Sequence, residues 1–282
     1  MADQPSRAYY SRIESPVDYA PRRVVSLLPS MTESLFDLDL GDRLIAVTDY
    51  CTRPAHGVKS VPRVGGTRHP DIQRILELQP DLVVMSDEEN SREDAETLRA
   101  AGIPLWVVSP RTVFDVLNLL WNMMDIFDHA VMVPRVREIE RAYDYTLSAA
   151  RAAAPARVFA PIQRDPWMTF NADTYAHDVL RVCGGDNAFA GYEQRYPSLS
   201  PDEVALAQPE VVLLPDEPYP FTDADLEAII ALDIPAAHNE RIYRIDGSLL
   251  TWHGTRVAYA LRDLPVLLMA RSGEHDRTSH HP

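Results

Sequence analysis

Gln79-Pro80-Asp81-Leu82-Val83-Val84 returns as Gln208-Pro209-Glu210-Val211-Val212-Leu213, 129 residues further along a chain of 282. In both copies a stretch of helical spacing runs up to the glutamine, a proline stops it, and an acid opens an apolar run short enough for a buried strand. The expected strand starts at Val24 and Val158 stand 134 residues apart, close to the same offset. Short apolar runs alternating with helical patterns are the signature of βα units around mostly parallel sheets. The repeat therefore predicts two lobes of similar build.

Working outward, Val24 to Leu28 reads as the first strand, and Pro29 stops it. Ser30-Met31-Thr32-Glu33 has the spacing of a capping box, which predicts a helix from Ser30. Its N–H groups would point out of the strand's carboxyl end, where a polar ligand group can sit. Leu44 to Val47, Asp81 to Met85 and Leu105 to Val108 follow as strands. A helix is expected from near Pro70, and another that closes at a left-handed Gly102. Asp49 to His69, rich in Pro and Gly, is irregular. Between the two copies, Pro134 to Ala153 carries no strand signal. Its charges alternate with Val136, Ile139, Ala142 and Leu147, which predicts one helix of about twenty residues and roughly 30 Å. In the second copy Ser200-Pro201-Asp202-Glu203 is again a capping-box pattern. The expectation is an α/β fold of two Rossmann-like lobes, each a mostly parallel sheet with flanking helices, joined by one long rigid helix. The lobes would span 23–130 and 155–271 and the helix 131–154, with an extension at 1–22 and a polar tail at 272–282.

With 46% apolar and 24% charged residues the chain reads as globular. A net charge of −15 argues against nucleic acid and anionic membrane surfaces as partners. No run of about 18 apolar residues predicts membrane insertion. The first 23 residues hold no apolar run of about seven, so no secretory signal is expected and the protein is predicted to be cytoplasmic. Cys51 and Cys183, the only cysteines, are expected as small packing thiols.

Ligands of open α/β sheets bind outside the carboxyl ends of the strands, and two such sheets predict a cleft between lobes. The loops that satisfy this rule are Pro29 to Thr32, Thr48 to Arg53, Asp87 to Asn90, Arg164 to Phe170, Pro215 to Phe221 and Ser248 to Arg256. They supply the predicted ligand-binding set. Tyr50, Trp167, Tyr219 and Trp252 offer flat faces, joined by Tyr175. Ser30, Thr32, Glu89, Arg164, Asp165, Glu217, His253 and Arg256 offer directional polar groups. The alternative for Arg164 and Asp165 is a solvated ion pair. Trp106 and Trp121, inside a strand and a helix pattern, are expected in the core. No pair of histidines outside the tail has zinc-ligand spacing, so no metal site is expected. Ser30, Cys51 and His253 are nucleophile-and-base residue types, yet no G-x-S-x-G elbow or phosphate-binding glycine motif accompanies them. The sequence predicts a binding protein rather than an enzyme.

Four stretches carry a family resemblance: Arg23-Val24-Val25-Ser26-Leu27-Leu28-Pro29-Ser30-Met31-Thr32-Glu33, Val47-Thr48-Asp49-Tyr50-Cys51, Ile75-Leu76-Glu77-Leu78-Gln79-Pro80-Asp81-Leu82-Val83 and Val182-Cys183-Gly184-Gly185-Asp186-Asn187. In this order they resemble the class III solute-binding proteins of ABC importers, in the branch of vitamin B12-binding and iron-siderophore-binding proteins. The likeness runs from Arg22 to Ala270. "VGGTRHPD", "EENSRED", "RDPWMT", "LPDEPYPF" and "TWHGTR" resemble a cobalamin-binding-like subgroup, the helical-backbone metal receptors. The resemblance implies a corrinoid, haem or siderophore-like metal chelate in the cleft, with no cofactor required and with His69 or His253 as possible axial ligands. Members dock to their permease through a glutamate on each lobe. Here those positions hold Gln73 and Asp202, with Glu203 beside the latter, which argues against such docking. Periplasmic members carry a signal peptide or lipoprotein cysteine, so the expectation is a cytoplasmic relative. The alternative is an enzyme or cofactor-handling protein of corrinoid metabolism that uses the same cleft.

Overall fold

The structure, a computed structural model, describes residues 15–269. They fall into two compact units. One comprises 15–110, Phe114–Glu140 and His253–Arg256; the other comprises Arg111–Val113, Arg141–Trp252 and 257–269. In chain order the first contains β1 (Val24–Ser26), α1 (Pro29–Asp37), β2 (Leu44–Val47), α2 (Ala55–Val58), α3 (Ile72–Leu78), β3 (Leu82–Ser86), α4 (Arg92–Ala100) and β4 (Leu105–Val108), then nearly all of α5 (Val113–Ile126). The long helix α6 (Val133–Arg151) follows, and the division between the units falls within it, after Glu140. The second unit continues with β5 (Ala156–Phe159), β6 (Trp167–Met168), α7 (Tyr175–Val182), β7 (Gly185–Asn187), β8 (Ser198–Leu199), α8 (Pro201–Ala207) and β9 (Val211–Pro215). It ends with α9 (Asp223–Ile230), α10 (Pro235–His238), β10 (Ile242–Ile245), α11 (Ser248–Thr251) and α12 (Val257–Leu268).

Each unit holds one four-stranded sheet, in the orders β2-β1-β3-β4 and β7-β5-β9-β10, with every pairing parallel. Strand order and direction match once β5 is laid on β1 and β9 on β3, as the sequence repeat requires. β3 and β9 are buried along their whole lengths, as parallel strands covered on both faces must be. The second unit adds a short antiparallel ladder, with Trp167 opposite Leu199.

The repeated hexapeptides have the same local physics. α3 and α8 are each seven residues long, and each is stopped by a glutamine in the left-handed region, Gln79 and Gln208, both at φ 47°. The proline that follows cannot continue the helix. Arg23 donates through its side chain to the carbonyls of Leu78 (2.6 Å) and Gln79 (3.3 Å), and its N–H reaches Asp81 at 2.9 Å. Arg157 repeats this with the carbonyl of Ala207 (2.6 Å) and the carboxylate of Glu210 (2.8 Å). Both clamps satisfy helix-end carbonyls that have no partner within the helix.

Several expectations shift. α1 starts at Pro29, with Leu28 as an N-cap that makes no side-chain bond. Ser30 and Glu33 therefore do not form a capping box: proline takes the first helical position, where its missing N–H costs nothing, and moves the cap one residue before itself. α3 starts at Ile72 rather than Pro70, because the Asp71 carboxylate accepts from the Arg74 N–H at 3.0 Å. The irregular stretch 49–69 contains the single-turn α2. Trp167, expected in a loop, lies in β6. The helix expected at 134–153 is α6, Gly102 has φ +78°, and Trp106 and Trp121 are core residues. Among the described residues no helix is long and apolar enough to cross a membrane.

Candidate functional site

Because the strands of each sheet run one way, their carboxyl ends share one edge, and the loops leaving that edge are where α/β sheets meet ligands. In the first unit this edge is fastened by polar groups. Thr32 Oγ1 lies 2.9 Å from Ser26 Oγ and 3.1 Å from Cys51 Sγ, and Thr48 Oγ1 lies 3.1 Å from the same sulfur. Thr32 is thus buried in the scaffold of the edge. Burial pushes the Cys51 thiol up despite these bonds, which keeps it protonated and unreactive. Arg63 fastens the proline-rich loop through the carbonyls of Thr48 (2.6 Å), Cys51 (2.8 Å) and Val58 (3.2 Å). Asn90 links the next two loops, accepting from the Ser86 N–H (2.8 Å) and donating to the Thr67 carbonyl (2.7 Å). Glu89 beside it is half-buried. Tyr50 stands out of this frame, 63% exposed. A Cβ on Gly66 would come within 3.4 Å of its ring.

The segment His253–Arg256 belongs to this first unit, although the chain on either side belongs to the second. Arg256 grips Glu33 with two donors, Nε at 2.9 Å from Oε2 and Nη2 on Oε1, and both side chains are buried. Burial pushes the Glu33 carboxyl up, against the lowering pull of the guanidinium. Thr255 donates to Ser34 Oγ (3.0 Å, from N–H) and to Asp37 (2.7 Å, from Oγ1). Gly254, at φ +72°, lies so close to the Ser34 hydroxyl that a Cβ would overlap it. His253 is buried, and desolvation lowers its pKa from 6.5 to about 4, so the ring is neutral at pH 7. Ser30 Oγ is 3.4 Å from both ring nitrogens. An oxygen equidistant from the two lies in line with neither lone pair nor N–H.

The second unit's edge is aromatic. Trp167 meets Phe159 edge-on (6.1 Å) and stacks with Phe221 (6.0 Å, 13°), and the Arg164 guanidinium sits 4.5 Å over its ring. At 4% exposure Trp167 is a core residue beneath the edge rather than a face turned to solvent. Arg164 Nη1 reaches Asp225 at 2.9 Å, and its Nε lies 3.5 Å from the exposed Asp165. Asp225 also accepts from the Thr222 N–H (2.7 Å) and hydroxyl (2.8 Å), capping α9. Burial works to raise the Asp225 carboxyl, but the Thr222 bonds and Arg164 outweigh it and hold it below the usual range. Tyr219 packs edge-on to Phe221 (4.8 Å) and is half-buried. Asp216 accepts from the Gly247 N–H at 2.7 Å, and a Cβ at 247 would overlap the Glu217 carbonyl. Glu217 and Trp252 are half-buried. Tyr175 opens α7 behind its Thr174 cap, and burial pushes its phenol up.

The expected residues therefore separate. Tyr50, Glu89, Glu217, Tyr219 and Trp252 keep exposed or half-exposed side chains at the two edges, while Thr32, Trp167, Tyr175, His253 and Arg256 are buried. The sequence reading missed Asp225 as the partner of Arg164; Thr222-x-x-Asp225 is a capping-box pattern that marks it. Gln73 and Asp202 occupy equivalent exposed positions on α3 and α8. Among the described residues no group of three His, Cys, Asp or Glu side chains is placed to hold a metal ion.

Two α/β units with identical parallel strand order, whose loops at the carboxyl edges differ from one unit to the other, define a class of two-domain α/β binding proteins. The pattern of the periplasmic binding protein family matches residues 24–249, and the chain belongs to that family. It is 30% identical over 196 residues to the vitamin B12-binding proteins of Yersinia pestis (strain Pestoides F) and Yersinia pseudotuberculosis serotype O:1b (strain IP 31758), covering 69% of this chain and 70% of theirs. Among solved structures, the periplasmic vitamin B12-binding protein of Vibrio cholerae aligns with a TM-score of 0.76 at 22% identity, over 88% of this chain and 97% of that one. A periplasmic haem-binding protein of Roseiflexus sp. RS-1, in apo form, aligns with a TM-score of 0.72 at 25% identity, over 87% and 97%. The fold class and the family resemblance read from the motifs are those found, and these relatives are binding proteins.

Proposed function

We propose that this protein binds a corrinoid or a comparable planar metal chelate through the loops at the carboxyl edges of its sheets. The observation that carries the reading is the 30% identity to vitamin B12-binding proteins over 69% of the chain. It is supported by the aromatic side chains Tyr50, Tyr219 and Trp252, which the edges leave exposed or half-exposed. Flat rings suit a flat ligand, because stacking gives large contact area at little cost in conformational entropy. The buried, protonated Cys51 and the misaligned Ser30 and His253 favour binding over covalent chemistry at the first unit's edge. The test is equilibrium binding of the purified protein to cyanocobalamin, followed by tryptophan quenching. Binding at about micromolar Kd or tighter, weakened about tenfold in Trp252→Ala and Tyr50→Ala with unfolding midpoints unchanged, is the expected result. Saturation that neither variant disturbs would place the ligand elsewhere.

A further inference from the structure

Beyond Glu140, α6 belongs to the second unit, as does the whole of α12. The two helices are tied by Thr146 Oγ1, which donates to the Leu261 carbonyl at 3.3 Å. Between them runs a groove of about 290 Å³, lined by Ala142 and Ala149 on α6 and by Ala258, Leu261 and Pro265 on α12. These positions recur at helical spacing, and the three alanines leave the groove its depth. Beside it stand two apolar side chains with little protein around them, Tyr145 on α6, 78% exposed, and Val266 on α12, 67% exposed. Large apolar side chains at the lip of an apolar groove make a patch that water covers at a cost in free energy.

The charges at this patch differ from those of the whole chain. Arg141 and Asp144 flank Tyr145 on α6, and Arg262 and Asp263 flank Val266 on α12, so the four sum to zero in a chain of net charge −15. Each helix therefore brings one arginine and one aspartate to the edge of the groove. Such a surface is complementary to itself: a two-fold axis that lays α6 of one copy against α12 of another sets arginine against aspartate and ridge against groove. The tail that follows Met269 does not suit the groove, because residues 270–282 have alanine and proline as their only apolar side chains.

We propose that the α6–α12 face is the contact between two copies of this chain, related by a two-fold axis, with Tyr145 and Val266 of each copy seated in the groove of the other. The apolar ridges supply the affinity, and the paired charges at the rim fix the register. The inference is independent of what the carboxyl edges bind.

The experiment is sedimentation equilibrium of the full chain between about 1 and about 100 µM, a range that spans modest dimer affinities. The mass is expected to rise from one chain toward two. Tyr145→Glu should raise the dissociation constant at least about 100-fold and Val266→Glu at least about tenfold, because each places a charge at a dry contact. Both positions are exposed within one chain, so the urea midpoints of the variants, measured at about 1 µM, should match that of the wild type. A mass that stays at one chain throughout overturns the inference; if dimers then form on removal of residues 1–14, the groove belongs to that segment. A dimer that neither variant weakens uses another face and overturns it equally. Assembly beyond two copies overturns the two-fold contact, since an isologous face closes at two.

Discussion

The two units are built alike where their strands begin and unlike where their strands end. At the amino ends Arg23 and Arg157 reach the last carbonyls of α3 and α8, and Asp81 and Glu210 accept the neighbouring N–H groups. At the carboxyl ends the first unit is closed by a buried ion pair, Glu33–Arg256, and the second by an aromatic stack with Arg164 across it. The shared end does the work of a scaffold, and a scaffold tolerates duplication without change. The divergent end is where a duplicated unit acquires its own surface, so function is argued there and not from the fold.

The largest effect that separates the two edges is expected from Arg256→Leu. It leaves the Glu33 carboxylate buried without its partner, which costs about 3–5 kcal/mol, read from the urea unfolding midpoint. Arg164→Leu, in a pair whose arginine is 23% and whose carboxylate is 8% exposed, leaves Asp225 still bonded twice to Thr222 and should cost less, about 1–2 kcal/mol. Equal losses would erase the distinction between a buried latch and a half-solvated one.

A smaller effect follows from His253. Its folded pKa is depressed from 6.5 to about 4, so unfolding takes up a proton between those values. Stability from the neutral ring is fully present above pH 6.5 and is lost as pH falls toward 4, by at most about 3 kcal/mol. The raised carboxyl of Glu33 has the opposite sign: the native state holds its proton more firmly, so its contribution grows as pH falls and is lost as pH rises through the folded value. The difference between wild type and His253→Asn, each followed by urea unfolding at about pH 7.5 and about pH 4.5, isolates the histidine. A parallel pH response in both proteins would mean that the ring is solvated in the folded state.

The smallest effect tests the shared end. Ser200 and Glu203 bond reciprocally, Glu203 accepting from the Ser200 N–H at 2.7 Å, whereas Asp71 accepts only from the Arg74 N–H at 3.0 Å. Ser200→Ala should therefore cost about 1 kcal/mol and Asp71→Ala about half of that in thermal unfolding. The reverse order would show that the reciprocal bond adds nothing.

Much of the fold was legible because it is set by neighbours in sequence. The two Gln-Pro-acid stretches, the left-handed Gly102, α6 and the box at Ser200 each depend on a few consecutive residues. The failed expectation at Ser30 is the instructive one, since Ser30-x-x-Glu33 and Ser200-x-x-Glu203 share one pattern. Pro201 follows Ser200 and takes the first helical position, so the serine is the cap; Pro29 precedes Ser30 and takes that position itself, so the serine falls inside the helix. The placement of proline, not the spacing of serine and glutamate, decides.

The candidate site was legible as a set of loops and not as a set of contacts. Trp167 and Arg164 stand together in sequence with an exposed look, yet the aromatic packing of Phe159 and Phe221 buries the indole, and Asp225, 61 residues away, takes the guanidinium. Arg256 and Glu33 are 223 residues apart, and nothing local to either announces the other.

The sequence by itself determined the duplicated α/β plan, its strand starts, its helix stops and the loops that leave the carboxyl edges, because periodicity, capping and proline act over one or two turns of chain. Which arginines remain for a ligand and which are consumed inside the protein was decided only by the tertiary structure, because a charge is matched by whatever folding brings within about 3 Å of it, however distant in sequence.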